Sequence, residues 1–83
     1  MNDEPKELKD QYLSATLLYF LPGSFTGSRI GTSPRGNPEM WFTFRSKDEC
    51  DQVIKEYETD TLLVNPREFC SCLARIREMY KSM

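Results

Sequence analysis

Between Met40 and Arg45 every second side chain is large and apolar: Met40, Phe42 and Phe44 alternate with Trp41, Thr43 and Arg45. Strict two-residue alternation places the first set on one face of a β-strand and the second on the other. A strand so built needs a neighbour for its backbone and a cover for its apolar face. Residues 24–30 suit extended structure and are expected to pair with it as an antiparallel hairpin. The connection, residues 31–39, contains Pro34, Gly36 and Pro38, so it is expected to be longer and looser than a two-residue turn, and mobile.

Three helical segments can supply the cover. Asp10 is placed to cap the first, in which Tyr12, Leu13, Thr16, Leu17, Phe20 and Leu21 recur at helical spacing until Pro22-Gly23 ends it. Ser46-Lys47-Asp48-Glu49 has the form of a capping box, and Cys50, Val53, Ile54 and Tyr57 then make a narrow apolar stripe that should pack on the hairpin. Residues 61–64 are a short β-favouring run. Asn65-Pro66-Arg67-Glu68 starts a third helix, with Val64 and Phe69 placed as a hydrophobic staple and Leu73, Ile76 and Tyr80 on one line beside Cys72 and Met79. Residues 1–9 are polar, contain Pro5 and lack a periodic apolar face, which predicts a flexible lead-in. A chain of 83 residues supports one core, so residues 10–83 are expected to be one α+β domain in the order helix, β-hairpin, helix, short strand, helix.

Residue inventory narrows the chemistry. The sequence has no histidine, which removes Ser-His-Asp and Cys-His catalysis, and no glycine-rich phosphate loop. Cys50, Cys70 and Cys72 cannot all pair; Cys70 and Cys72 are two apart in a helix and point to different faces, so neither a disulfide framework nor a metal site is expected. No carboxylate pair is placed to enter an apolar pocket, and the chain is expected to be non-enzymatic and free of cofactors. No apolar run approaches the roughly 20 residues that span a bilayer, and the start is acidic; no membrane association and a cytoplasmic location are expected.

The formal charge of −2 hides a segmental pattern. Asp48, Glu49, Asp51, Glu56, Glu58 and Asp60 make the second helix acidic, whereas the hairpin carries Arg29, Arg35 and Arg45, and the third helix carries Arg67, Arg75, Arg77 and Lys81. Trp41 and Arg45 share the outward face of the strand, where an indole can stack an unpaired base while arginines hold phosphates. The competing role for Trp41 is burial against the first helix or a dimer partner. Arg75, Arg77 and Lys81 can equally serve the negative pole of their own helix, and the acidic face can simply be solvated.

The series Lys9-Asp10, Tyr12-Leu13-Ser14-Ala15, Leu17-Leu18, Trp41-Phe42-Thr43-Phe44, Leu63-Val64-Asn65-Pro66-Arg67-Glu68-Phe69 and Leu73, Arg75-Ile76, Met79-Tyr80 resembles a family of short uncharacterised domains from tailed phages and bacterial mobile elements. The resemblance runs over residues 9–81 and rests on core and cap positions. It implies a phage or mobile-element origin and carries no catalytic motif. The hairpin connection, basic at Arg35, departs from the pattern.

The functional expectation is a small accessory protein that binds nucleic acid as a homodimer through Arg29, Arg35, Trp41, Arg45, Arg75, Arg77 and Lys81. The alternative is a protein-interaction module that inhibits a host or defence protein, through Glu49, Asp51 and Glu58 or through the long hairpin loop. A structural virion component is compatible with the same residues.

Overall fold

The computed structural model describes residues 4–59 and 62–81. Strands β1 (Lys6–Leu8), β2 (Phe25–Thr32) and β3 (Pro38–Phe44) form an antiparallel sheet in the order β1-β3-β2. Helices α1 (Gln11–Phe20), α2 (Lys47–Glu58) and α3 (Pro66–Lys81) complete the α+β fold, and a 3-10 turn at Pro22–Ser24 leads from α1 into β2. The alternating segment is the central strand. Its apolar side meets the helices: Phe42 and Phe44 are fully buried and join Leu8, Met40, Ala15, Leu17, Leu18, Cys50, Val53 and Ile76 in one core. Burying each of the large side chains contributes roughly 1.5–3 kcal/mol.

Helix α1 lies between the other two and against the sheet, so five consecutive residues, Ser14 to Leu18, are buried. Two of them are polar. Each hydroxyl is satisfied within the helix, Ser14 Oγ donating to the Asp10 carbonyl and Thr16 Oγ1 to the Tyr12 carbonyl, both at 2.7 Å. Without those bonds each hydroxyl would cost about 1–3 kcal/mol. Helices α2 and α3 need bury only one stripe each, led by Cys50 and Val53 in α2 and by Ile76 in α3. Tyr57, at the far end of the α2 stripe, stays 42% exposed.

Five details depart from the sequence expectations. Lys6–Leu8, within the predicted lead-in, is a sheet strand: Lys6 pairs with Phe44, Glu7 with Thr43 and Leu8 with Phe42. Three residues are too few to show a period, which is why the polar segment concealed it. The strand is fastened to α2 from the helical side by the Lys6–Asp51 ion pair at 2.8 Å and by the Lys47 N–H, which donates to the Glu4 carbonyl at 2.9 Å.

The hairpin connection shrinks to residues 33–37, because both strands extend toward each other. It is tightly bonded: the Ser33 N–H donates to the Asn37 carbonyl and the Gly36 N–H to the Ser33 carbonyl, both at 2.8 Å, with Gly36 at a φ of 85°. At the other end of the hairpin Phe25 pairs with Phe44 and Gly27 with Thr43, so Thr26 is an extra residue, a β-bulge.

Residues 62–65 run without joining the sheet, so the strand predicted over 61–64 is not formed at 62–64; Thr61 lies outside the described residues. That run is tied instead to α1, the Asn65 N–H donating to the Tyr19 hydroxyl at 2.9 Å. No described helix is long and apolar enough to cross a membrane.

Finally, two predicted caps form and one does not. Asp10 Oδ1 accepts from the Tyr12 and Leu13 amides, and Asn65 Oδ1 from the Arg67 and Glu68 amides. Ser46 makes no side-chain cap bond, since it is left-handed at φ 61° and ψ 71°, whereas a capping side chain requires extended backbone to reach the N2 and N3 amides. Asp10→Ala should therefore cost about 1 kcal/mol in chemical denaturation. Ser46→Gly should stabilise by about 0.5–1 kcal/mol, because glycine adopts positive φ without strain.

Candidate nucleic-acid interface on the open sheet face

With the helices on one side, strand alternation turns Trp41 and Thr43 of β3, Glu7 of β1 and Arg29 of β2 toward the other. Trp41 is half-buried there, facing away from α1, so of the competing roles weighed for it burial against the first helix is not formed. It lies between two cations: Lys9 Nζ is 5.7 Å and the Arg29 guanidinium carbon 5.4 Å from its ring centre. Both distances are within cation–π range.

Two glycines of β2 shape the floor beside it. Gly27 pairs with Thr43 and Gly31 with Glu39, so neither puts a side chain on this face. A Cβ at Gly31 would come within 3.0 Å of Trp41 Nε1 and 3.2 Å of Arg29 Nη1. The indole and the guanidinium thus lie down over the space that glycine leaves.

Each cation is also held by a carboxylate. Arg29 reaches across β3 to Glu7 in a two-pronged contact, Nε to Oε2 at 2.7 Å and Nη2 to Oε1 at 3.0 Å, and Thr43 Oγ1 donates to the same carboxylate at 3.2 Å. Lys9 Nζ pairs with Glu39 at 3.0 Å. These contacts clasp the three strands together and fix the two cations around the ring. The Arg29 contact, assisted by Thr43, holds the Glu7 carboxyl below its ordinary value, and Glu7 in turn raises that of Arg29.

The remaining predicted positions are dispersed. Arg45 lies just past β3, its Nη2 donating to the Gly23 carbonyl at 2.6 Å. Arg35 is exposed at the hairpin tip. Arg75, Arg77 and Lys81 belong to α3, in the helical layer, where Arg77 contacts the Tyr12 hydroxyl at 3.3 Å. The structure therefore brings Arg29 and Trp41 together and leaves the α3 cations in a different layer. Of the acidic-helix residues, Glu49 and Glu58 are exposed, while Asp51 is engaged by Lys6 and by Lys47 at 3.4 Å.

Lys9, Glu7, Thr43, Glu39 and Gly31 were not selected from sequence. The signal for the first two was the polar-apolar-polar order of Glu7, Leu8 and Lys9, legible only once that segment is known to be a strand. The cysteines lie elsewhere, and burial pushes the Cys50 and Cys72 thiols up, so both stay protonated at neutral pH.

No protein-family model matches this chain, and searches of curated proteins and of solved structures likewise return no match.

The clasp has a pH signature. A carboxylate whose folded value is depressed contributes its full stabilisation above the ordinary carboxylate range and loses it as pH falls through the lowered value. Glu7, observed by side-chain carboxyl NMR, should titrate below that range, and Arg29→Ala should return it there. A Glu7 that titrates normally in the unaltered protein would contradict the clasp.

Proposed function

We propose that the protein is a non-enzymatic nucleic-acid-binding module whose open sheet face takes single-stranded DNA or RNA. The observation that carries this reading is Trp41, a half-buried indole on the uncovered face of a sheet, flanked by Lys9 and Arg29. An aromatic platform on a sheet provides sequence-tolerant stacking worth about 1–3 kcal/mol per base, and adjacent cations meet the phosphates. Because both cations are already neutralised by Glu7 and Glu39, a phosphate must displace a carboxylate. Affinity is then modest and rests more on stacking than on charge. That pattern fits an acidic protein with a sequence pI near 5.1, which has no wide basic footprint. The resemblance to short phage and mobile-element domains adds a setting, an accessory role beside single-stranded intermediates in the host cytoplasm.

Trp41 is the sole tryptophan, so its fluorescence reports the site directly. Titration with short oligothymidylate or oligouridylate at low salt should quench it saturably, with a log–log salt slope of about −1.4 or shallower, as two phosphate contacts on a single strand require. Lys9→Ala and Arg29→Ala should weaken binding, whereas Arg75→Ala and Arg77→Ala, in the helical layer, should not. Absence of quenching at low salt would dismiss this reading and pass the function to a protein partner engaged by exposed Glu49 and Glu58 on α2.

A further inference from the structure

The sheet has two edges. β1 offers only three residues, and its approach is fastened to α2 by Glu4 and Lys6. β2 offers eight, and no described strand lies beyond it. Its free hydrogen-bonding groups can be located from the hairpin closure. The Ser33 N–H donates to the Asn37 carbonyl, so Ser33 and Asn37 are a hydrogen-bonded pair, and pairs alternate along an antiparallel ladder. Thr32 opposite Pro38, Ile30 opposite Met40 and Ser28 opposite Phe42 are then the non-bonded pairs. Proline, which has no N–H, fits such a position. The N–H and C=O groups of Ser28, Ile30 and Thr32 therefore point outward, at two-residue intervals along the edge.

Side chains on the same three residues lean to the helical side. Ile30 is 58% exposed there, at the rim of a shallow hollow of about 450 Å³ lined by Ser28, Arg29, Ile30, Met40 and Met79. The segment carries no lysine, proline or inward-pointing charge to repel another strand, and the bulge at Thr26 lies before it.

We infer that this edge pairs with the same edge of a second copy, β2 against β2, antiparallel about Ile30. The register follows from chemistry. Centring the two-fold axis on Ile30 sets Ile30 against its own copy, and Ser28 against Thr32, so that all three outward-facing residues meet outward-facing residues. Every exposed N–H finds a carbonyl, and the two isoleucines cover each other over the hollow beside Met79. On the open face Arg29 falls opposite Gly31 of the second copy rather than directly opposite another Arg29. The alternative route through the first helix is closed, because α1 is held between α2 and α3.

Pairing makes one six-stranded sheet, with both Trp41 rings on a single open face. Strand spacing of about 4.8 Å over three intervals, with an offset of two residues, sets them roughly 15–16 Å apart. Under the nucleic-acid reading, on which this consequence alone rests, one strand of nucleic acid can engage both rings.

Size exclusion with light scattering on the intact chain, without nucleic acid, tests the pairing separately from the ligand. The unaltered protein should be a dimer at micromolar concentration. Ile30→Lys, at an exposed position, should be monomeric with unchanged circular dichroism and at least a tenfold weaker self-association. Ser28→Pro serves as the second variant: it removes one outward amide and no bond to β3, and should weaken the dimer likewise. A monomeric unaltered protein, or a dimer that survives both substitutions, would overturn the proposal.

Discussion

Everything in this fold leans on the burial of α1. Seen as a surface helix it would need one apolar stripe, yet Ser14 to Leu18 are all enclosed, because sheet, α2 and α3 close on it from different sides. A helix in that position cannot hand polar groups to water. Placing serine and threonine where their hydroxyls can donate to carbonyls four residues back solves the problem locally. The central helix then keeps the other elements in place: α3 docks along it, the linker before α3 is bonded to Tyr19, and its capping residue Asp10 follows β1 with only Lys9 between them.

A consequence is that one side of the sheet is left bare of any described helix. The helices all crowd onto Leu8, Met40, Phe42 and Phe44, and the opposite face is held together by its own side chains. Arg29, Glu7 and Thr43 span the three strands, and Lys9 with Glu39 closes the border. This surface does structural service and presents an aromatic ring at the same time. Under the proposed nucleic-acid reading, ordering the cations in advance would present a site already arranged, at the cost of breaking the Arg29–Glu7 and Lys9–Glu39 ion pairs before phosphate could be held.

Legibility from sequence tracked the length of each pattern. The β3 alternation, the helical spacing of α1, the amphipathic stripes of α2 and α3 and the Asp10 and Asn65 caps could be recognised because each is a local rule repeated or paired within a few residues. β1 could not be, since Lys6 to Leu8 is shorter than any period and its place in the sheet is decided by contacts with residues near 43 and 51. Ser46 failed for a related reason: the capping-box letters are present, but the turn out of β3 imposes a left-handed backbone that the letters do not encode. At the open face, Trp41 and Arg29 were recognised by residue type, and their carboxylate partners were hidden by sequence distance. Grouping the α3 arginines with them followed charge alone, and charge says nothing about which layer a helix occupies.

The single extra residue at Thr26 decides which side of β2 is which. Before it Phe25 faces the helices, and simple alternation would send Ser28 and Ile30 outward and Arg29 into the core. The inserted residue reverses the phase, so that one strand can begin on the core at Phe25 and still deliver Arg29 to the open face. Loss of this one residue during descent would not shorten the strand so much as set its two halves in conflict. Chain length between Pro22 and Ser33 is thereby constrained more tightly than the identity of most residues within it, and relatives should vary there by substitution rather than by insertion or deletion.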